Sequence, residues 1–420
     1  MILFRRAKAW LRMLGPGLIT GASDDDPSGI ATYAQVGAQF GYGMSWVMLF
    51  SYPLMGAIQE ISARIGRVTG QGIAGNIRAH YPAPMVQIVV GLLIAANIVN
   101  LGADLGAMAD ALKLLIGGPA HLYVAGFALI CASLEIFCRY VRYVSILKWL
   151  TTTLFAYVAV AFVVHVPWRH VMISTLVPHI SWRRDAIVAL VAILGTTISP
   201  YMFFWQASQE AENEHEDPKA RPLIDAPRQA PRELRRIRMD TYFGMGFSNL
   251  ISLFIIVTAA ATLNAHGVVD IKTSAQAAEA LRPLAGEFSF ALFAAGIIGT
   301  GMLAVPVLAG SAAYALAETR GWPSGLARLP LQAKSFYGAI AAATLIGVGI
   351  DLVGLDPIKA LFWSAVLNGV VAVPLMVMMM LMTARRAVMG AFTLPPLLSL
   401  VGWVSTLVMA AVVAAMVVTW

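Results

Sequence analysis

The 420-residue sequence predicts an all-α integral membrane fold: two inverted five-helix repeats plus one extra helix. Three observations predict this class. Hydrophobic residues make up 59% of the chain and charged residues 12%, with a mean hydropathy of +0.75, whereas soluble proteins carry roughly 25% charge. Apolar runs repeatedly reach the ~20 residues that cross a bilayer. Two of these runs are interrupted by proline at corresponding places in the two repeats.

The apolar runs predict eleven transmembrane spans. They lie near residues 14–38, 44–65, 85–116, 121–138, 144–166, 185–208, 240–264, 286–317, 336–352, 357–383 and 395–419.

Lysine and arginine fall unevenly between these spans. Of the 29 in the chain, 22 lie on the side that also holds the N-terminus. Because cytoplasmic loops are enriched in these residues, the bias predicts a multi-pass protein of the cell's inner (plasma) membrane with a cytoplasmic N-terminus. The bias also accounts for the net charge of +7 without a nucleic-acid partner. The lipid bilayer is the predicted surrounding.

Four segments follow from the spans. The predicted boundaries are a cytoplasmic N-terminus over 1–13, a first repeat over 14–166, a second repeat over 167–383 with a cytoplasmic loop at 209–239, and an extra transmembrane helix within 384–420. The loop begins with acidic residues, which either gather cations at the pore mouth or belong to a solvated connector. Its basic end is expected to contact the inner leaflet.

The two interrupted spans contain the candidate metal-binding residues. Span one contains "SDDDPSG" and span six contains "GTTISPY". Proline removes a backbone donor and frees carbonyl oxygens, and unwound backbone at membrane depth is tolerated where it lines a cavity. Asp26, directly before Pro27, is therefore predicted to face the second break. A carboxylate with carbonyl and hydroxyl oxygens suits a hard divalent cation. The alternative is that Asp26 only caps the following half-helix.

Several sequence stretches resemble the NRAMP family of divalent metal transporters. They are "GPGLITGASDDDPSGIATYAQVGAQFGYG", "SARIGRVTGQGIA", "GADLG" and "MDTYFGMGFSNL", within a similarity that runs from about residue 14 to 383. The resemblance implies a LeuT-like fold and import of Mn²⁺ or Fe²⁺, usually with protons. It also implies that Asp26 is a metal ligand.

The sequence departs from the family at four ligand or proton positions. Gly29 replaces an asparagine ligand, Ser199 a methionine ligand, Tyr201 a histidine and Ala107 a glutamate, while Asp104 matches the family's third-helix aspartate. Loss of the soft thioether leaves a site of oxygen ligands, so discrimination against Mg²⁺ is expected to weaken. The pattern looks closer to the NRAMP-related magnesium transporters, and proton coupling is expected to be weak or absent.

The remaining candidates are ligands or pathway residues. Ser23 and Thr196 are expected to offer carbonyls, and Asn368 an amide, to the ion, although a buried asparagine also ties helices together. Asn97, Asn100 and Asn249 are interpreted as interhelical hydrogen-bonding groups or a second ion site. The candidates for the ion pathway are Asp24, Asp25, Asp104, Tyr201 and Gly29. Asp24 and Asp25 either line the entry route or pair with an arginine.

The predicted function is transport of divalent cations of the Mn²⁺/Mg²⁺ class by alternating access, with the cation as substrate and no cofactor. Three alternatives stay open. A proton-coupled Mn²⁺/Fe²⁺ importer keeps the family chemistry. A transporter of a non-metal solute shares the architecture, but Asp26 would repel a carboxylate ligand. An intramembrane aspartyl protease would need Asp26 and Asp104 in contact. The chain is otherwise not expected to be an enzyme.

Overall fold

The computed structural model describes residues 20–21, 23–137, 151–352, 354 and 356–419. The predicted N-terminal segment, the start of span one, the last residue of span four, the link before span five and the start of span five lie outside these residues. The described chain is helical with turns and short 3₁₀ segments, and no strand occurs within those ranges.

The first part of the described chain contains helices that overlap predicted spans one to five and two short helices outside them, Ile73–His80 and Trp168–Leu176. They are α1 (Pro27–Phe40), α2 (Trp46–Thr69), α3 (Ile73–His80), α4 (Ala83–Ile116), α5 (Ala120–Phe137), α6 (Phe155–Val163) and α7 (Trp168–Leu176).

The second part contains helices that overlap predicted spans six to eleven and three short helices outside them, Ser274–Glu279, Arg282–Ala285 and Arg386–Met389. They are α8 (Arg184–Thr197), α9 (Pro200–Glu216), α10 (Ala230–Thr262), α11 (Ser274–Glu279), α12 (Arg282–Ala285), α13 (Ser289–Arg320), α14 (Lys334–Asp351), α15 (Pro357–Thr383), α16 (Arg386–Met389) and α17 (Pro396–Thr419).

By length and composition alone, seven of the described helices or helix pairs can cross a membrane. An eighth results if residues 152–163 and 168–176, which meet at a 119° bend, count as one span. Fewer spans pass this test than the sequence predicts because some helices carry charge or are short. α2 contains Glu60 and Arg64, and α14 begins at Lys334 and ends at Asp351.

The core of the molecule is built around α1 and α4. α1 packs against α8, α10 and α15, while α4 packs along α13, α14 and α15. α17 contacts α2, α8 and α15 from outside and exposes Leu397, Leu407 and Val418. That helix has the position expected of an additional helix facing lipid.

Glycines bring the broken helices into direct backbone contact with their neighbours. A Cβ at Gly21 would lie 2.4 Å from the backbone of Gly244 in α10, and one at Gly195 would lie 2.0 Å from the Ala365 carbonyl oxygen in α15. Small residues at such contacts let helices approach closely in a membrane, where packing rather than hydrophobicity holds them together. The close approach fixes both breaks at the centre of the bundle.

The connector predicted over 209–239 is shorter than expected. α9 continues to Glu216 and α10 begins at Ala230. The acidic end of α9 forms ion pairs with arginines: Glu210 lies 2.5 Å from Arg236, and Glu214 lies 3.5 Å from Arg67. These pairs support the connector interpretation rather than free acids that gather cations.

Candidate metal centre

The two predicted breaks have matching backbone geometry. Asp26 precedes α1 with φ −70° and ψ 171°, and Ser199 precedes α9 with φ −80° and ψ 132°, so both are extended residues followed by a proline in the first turn. Residues 20–24, apart from the undescribed position 22, are helical, as are 184–197. Each break therefore sets the carbonyl end of one half-helix beside the amide end of the next, as in transporters with discontinuous helices.

Asp26 lies at the centre of the site and is 2% exposed. Its Oδ1 accepts from the Gly29 backbone N–H at 2.7 Å and from the Ser28 hydroxyl at 2.8 Å. Its Oδ2 accepts from Asn100 Nδ2 at 3.1 Å and lies 3.5 Å from the Tyr201 hydroxyl. Asp26 therefore caps α1 with one oxygen and presents the other to α4 and α9, so the two interpretations are compatible.

The helix α4 contributes two polar groups from the same face, Asn100 and Asp104. Asp104 Oδ2 lies 3.5 Å from Asn100 Nδ2, one helical turn away. Asp104 Oδ1 is buried and has no hydrogen-bond partner. Asn368 Nδ2 lies 3.4 Å from Asn100 Oδ1, and Asn368 Oδ1 is likewise buried without a partner. Two oxygens close to Asp26 are thus unsatisfied, and buried polar atoms without partners are uncommon in native proteins.

The second break contributes less directly than predicted. The Ser199 hydroxyl lies 2.7 Å from both the Gly195 and the Thr196 carbonyl oxygens, so it closes the end of its own half-helix. The Thr196 carbonyl accepts this bond and keeps one further lone pair. The Ser23 carbonyl accepts from the Tyr201 hydroxyl at 3.1 Å. Both predicted carbonyls are at the break, and each already has a partner.

Tyr33 lies beside the position at which the family has its asparagine ligand. Its hydroxyl lies 2.7 Å from Thr196 Oγ1 and joins the two breaks. A Cβ at Gly29 would lie 3.3 Å from Thr196 Oγ1 and from the Tyr33 ring. The Tyr33–Thr196 pair therefore uses the space in which a side chain at position 29 would begin.

Asp24 and Asp25 contact serines of α10. Neither pairs with an arginine in the part of the chain that the structure describes, so the arginine alternative is not found there. Asn97 donates to the Leu308 carbonyl at 3.1 Å and Asn249 to the Met48 carbonyl at 2.7 Å. Both therefore bond between helices.

Sequence reasoning missed the central position of Asn100 and the contact of Tyr33. The signal for Asn100 was its spacing of four from Asp104, which places both on one helix face. No comparable signal marks Tyr33, because its partner is 163 residues away.

The donors assembled here are carboxylate, amide, carbonyl and hydroxyl oxygens. Within the described ranges, no group of three or more His, Cys, Asp or Glu side chains is arranged to hold a metal. A cation at this site would therefore rely on two carboxylates, Asp26 and Asp104, together with neutral oxygens and water. Such a donor set suits hard cations.

The protein-family comparison agrees with the geometry. Residues 17–419 match the model of "Natural resistance-associated macrophage protein-like" proteins, Nramp. The chain belongs to the Nramp family. The predicted resemblance is thereby confirmed over nearly the whole length.

Curated Nramp relatives cover most of the chain at low identity. The divalent metal cation transporter MntH of Deinococcus radiodurans is 26% identical over 416 residues, covering 97% of this chain and 89% of that protein. MntH of Klebsiella pneumoniae is 25% identical over 414 residues, covering 94% and 91%.

Solved structures confirm the fold. The manganese transporter of Eremococcus coleocola, solved in complex with an aromatic bis-isothiourea substituted compound, aligns with a TM-score of 0.75 at 18% identity and covers 96% of this chain and 86% of that one. MhsT, solved in complex with L-phenylalanine, aligns with a TM-score of 0.66 at 11% identity, covering 95% and 98%. The predicted LeuT-like architecture is therefore confirmed.

Proposed function

We propose that this Nramp protein transports divalent metal cations across the membrane by alternating access, with Asp26 as the central ligand. The family and the relatives named as divalent metal cation transporters support the class of cargo. Those relatives are transporters, in agreement with the expectation that this chain is not an enzyme.

The observation that carries the proposal is the Asp26 carboxylate, which is buried at a helix break among oxygen donors. A charged group at membrane depth costs at least ~2.5–3.5 kcal/mol and marks an ion pathway or site. Asp26 and Asp104 together supply the negative charge, and the partnerless oxygens of Asp104 and Asn368 supply further donors. No thioether stands at position 199, so the site lacks the soft ligand that would favour Mn²⁺ over Mg²⁺.

Weak or absent proton coupling is the second part of the proposal. Ala107, buried in α4, stands where the family pattern has a glutamate, and Tyr201 stands where it has a histidine. The Tyr201 hydroxyl donates to the Ser23 carbonyl, and a tyrosine hydroxyl does not ordinarily titrate near neutral pH. Two proton-carrying positions of the family are therefore lost.

Alternating access is supported by a cleft on one side of the closed site. The cleft has a volume of about 1090 Å³ and is lined by residues that include Ser208, Glu212, Tyr314 and Glu318. A buried aromatic segment, Tyr201 to Trp205, contacts Asp26 at one end and the cleft residue Tyr314 at the other, and its aromatic side chains are at most 1% exposed. In the predicted orientation this cleft opens to the cytoplasm, and the aromatic segment is the barrier that has to move for release.

The test is uptake of Mn²⁺ and of Mg²⁺ into liposomes that contain a pH-sensitive dye. Wild type is expected to take up both ions without acidifying the lumen, and Asp26→Asn is expected to abolish both. Asp185→Asn, at a partly exposed aspartate that pairs with Arg183, is the matched control and is expected to keep wild-type uptake.

Three outcomes would contradict parts of this proposal. Uptake of neither ion by wild type would exclude the cargo class. Mn²⁺ uptake with acidification and without Mg²⁺ uptake would show that the proton-coupled family chemistry persists. Full uptake by Asp26→Asn would exclude Asp26 as the central ligand.

A further inference from the structure

Asp24 and Asp25 form a second buried acidic cluster beside the central site. They are 1% and 3% exposed and contact α10 rather than α4. Ser248 Oγ lies 2.5 Å from Asp24 Oδ2 and 3.0 Å from Asp25 Oδ1, and Ser252 Oγ lies 3.3 Å from Asp25 Oδ1. The four residues Asp24, Asp25, Ser248 and Ser252 are called the α10 cluster below.

The α10 cluster has fewer hydrogen-bond donors than its carboxylate oxygens can accept. A hydroxyl carries one proton, so Ser248 can donate to only one of the two carboxylates that it touches. Ser252 is also within reach of the Ser248 carbonyl, at 3.1 Å, and thus has a competing acceptor. Asp24 Oδ1 is buried and has no hydrogen-bond partner at all.

The cluster also lacks a compensating charge among the described residues. None of the ion pairs in that part of the chain involves Asp24, Asp25, Asp26 or Asp104. Unpaired buried carboxylates are strongly unfavourable, and intramembrane acids almost always have a partner. A bound cation would stabilise the ionised form of these carboxylates by supplying the missing positive charge.

We propose that the α10 cluster is a second binding site for a hard divalent cation, adjacent to the Asp26 site. Two carboxylates and two hydroxyl oxygens are the ligand types that Mn²⁺ and Mg²⁺ accept, with water completing the shell. One divalent ion neutralises Asp24 and Asp25, and a second neutralises Asp26 and Asp104. The inference rests on the proposed function only for the class of ion.

Ser248 is the residue that makes the two sites separable. It contacts Asp24 and Asp25, whereas the oxygens of Asp26 are bonded to Ser28, Gly29, Asn100 and Tyr201. Removal of the Ser248 hydroxyl therefore weakens the α10 cluster and leaves the contacts of Asp26 in place. Loss of one ligand or supporting group lowers metal affinity about 10- to 100-fold.

The experiment is equilibrium binding of Mn²⁺ to the purified full chain in detergent, with the number of bound ions and each affinity read separately. Wild type is expected to bind two ions, and Asp25→Asn one. Ser248→Ala is expected to keep one affinity and to weaken the other about tenfold or more. Ser364→Ala is the matched control, because Ser364 is a buried serine whose hydroxyl bonds to its own helix, at the Leu361 carbonyl.

Asp26→Asn distinguishes this inference from the proposed function. If Asp26→Asn binds one ion, and adding Ser248→Ala lowers the affinity for that ion, both the central site and the α10 cluster are supported. If it keeps two ions and full transport, the central-site proposal fails while the α10 cluster stands. One ion in wild type, with an affinity unchanged by Ser248→Ala and by Asp25→Asn, would overturn the second site. Loss of the second ion in sodium chloride but not in choline chloride would also overturn it, because a monovalent cation would then be the occupant.

Discussion

The two helix breaks look alike in sequence and in backbone, yet their side chains have different roles. Asp26 caps α1 with one oxygen and has the other within reach of Asn100 and Tyr201. Ser199 bonds back onto the carbonyls of its own half-helix. A carboxylate has two oxygens and can cap and bind at once, whereas the single hydroxyl of Ser199 is held against the carbonyls of the preceding half-helix. We therefore expect the first break to supply the ligands and the second to position it.

The largest expected effect is the contrast between the two residues that precede the prolines. Asp26→Ser gives the first break the hydroxyl of the second, and is expected to reduce Mn²⁺ uptake into liposomes to that of protein-free liposomes. Ser199→Ala is expected to keep at least about half of the wild-type rate, because the lost bonds lie within one half-helix. Equal losses in the two variants would show that both breaks supply ligands.

The next effect concerns the packing of the second break. Gly195→Ala places a methyl group 2.0 Å from the Ala365 carbonyl oxygen and is expected to destabilise the protein by about 1–3 kcal/mol or to prevent folding. Thermal unfolding in detergent measures the change. Gly43→Ala, whose added Cβ meets nothing within 4 Å, is the control and is expected to stay within about 0.5 kcal/mol.

A smaller effect is expected on ion preference. Ser199→Met introduces the thioether that the family pattern has at this position, and soft sulfur favours Mn²⁺ over Mg²⁺. The ratio of Mn²⁺ to Mg²⁺ uptake is expected to rise, with Ser199→Leu as a control of similar size. An unchanged ratio would mean that position 199 does not face the ion.

The smallest effect is expected from the bond between the breaks. Tyr33→Phe removes the hydroxyl that lies 2.7 Å from Thr196 Oγ1. Loss of one such hydrogen bond costs about 0.5–1.5 kcal/mol, measurable as a lower unfolding temperature. Tyr123→Phe, at a partly exposed tyrosine bonded to Gly117, is the control. A change no larger than that of the control would mean that the bond does not stabilise the pair of breaks.

Much of this site could be predicted from the sequence, for identifiable reasons. Proline positions fix the breaks because proline removes a specific hydrogen bond, and Asp26 is fixed by its place before Pro27. The partners of Asp24 and Asp25 could not be predicted. Consecutive side chains at an unwound turn point in directions that depend on the geometry of the break. Asp26 therefore faces α4 and α9, whereas Asp24 and Asp25 face α10.

The length of the connector and the hydrogen bonds of Ser199 also could not be predicted from the sequence. The many charged residues in 209–216 are typical of a loop. The segment is helical, however, and is stabilised by Arg67 and Arg236, which are distant in sequence. A serine before proline is equally compatible with capping and with binding, and only the position of the preceding carbonyls decides between them.

The Tyr201 hydroxyl and the Asn100 amide have a consequence for the return half-cycle. Asn100 Nδ2 donates to Asp26 Oδ2 at 3.1 Å, and the Tyr201 hydroxyl lies 3.5 Å from the same oxygen. A carrier that is not driven by protons has to reset unloaded, and a bare carboxylate would make that reset slow. Donors already in place lower the electrostatic cost of crossing empty. For the uncoupled carrier proposed above, we therefore expect the tyrosine at the position of the family's histidine to favour net flux over exchange alone.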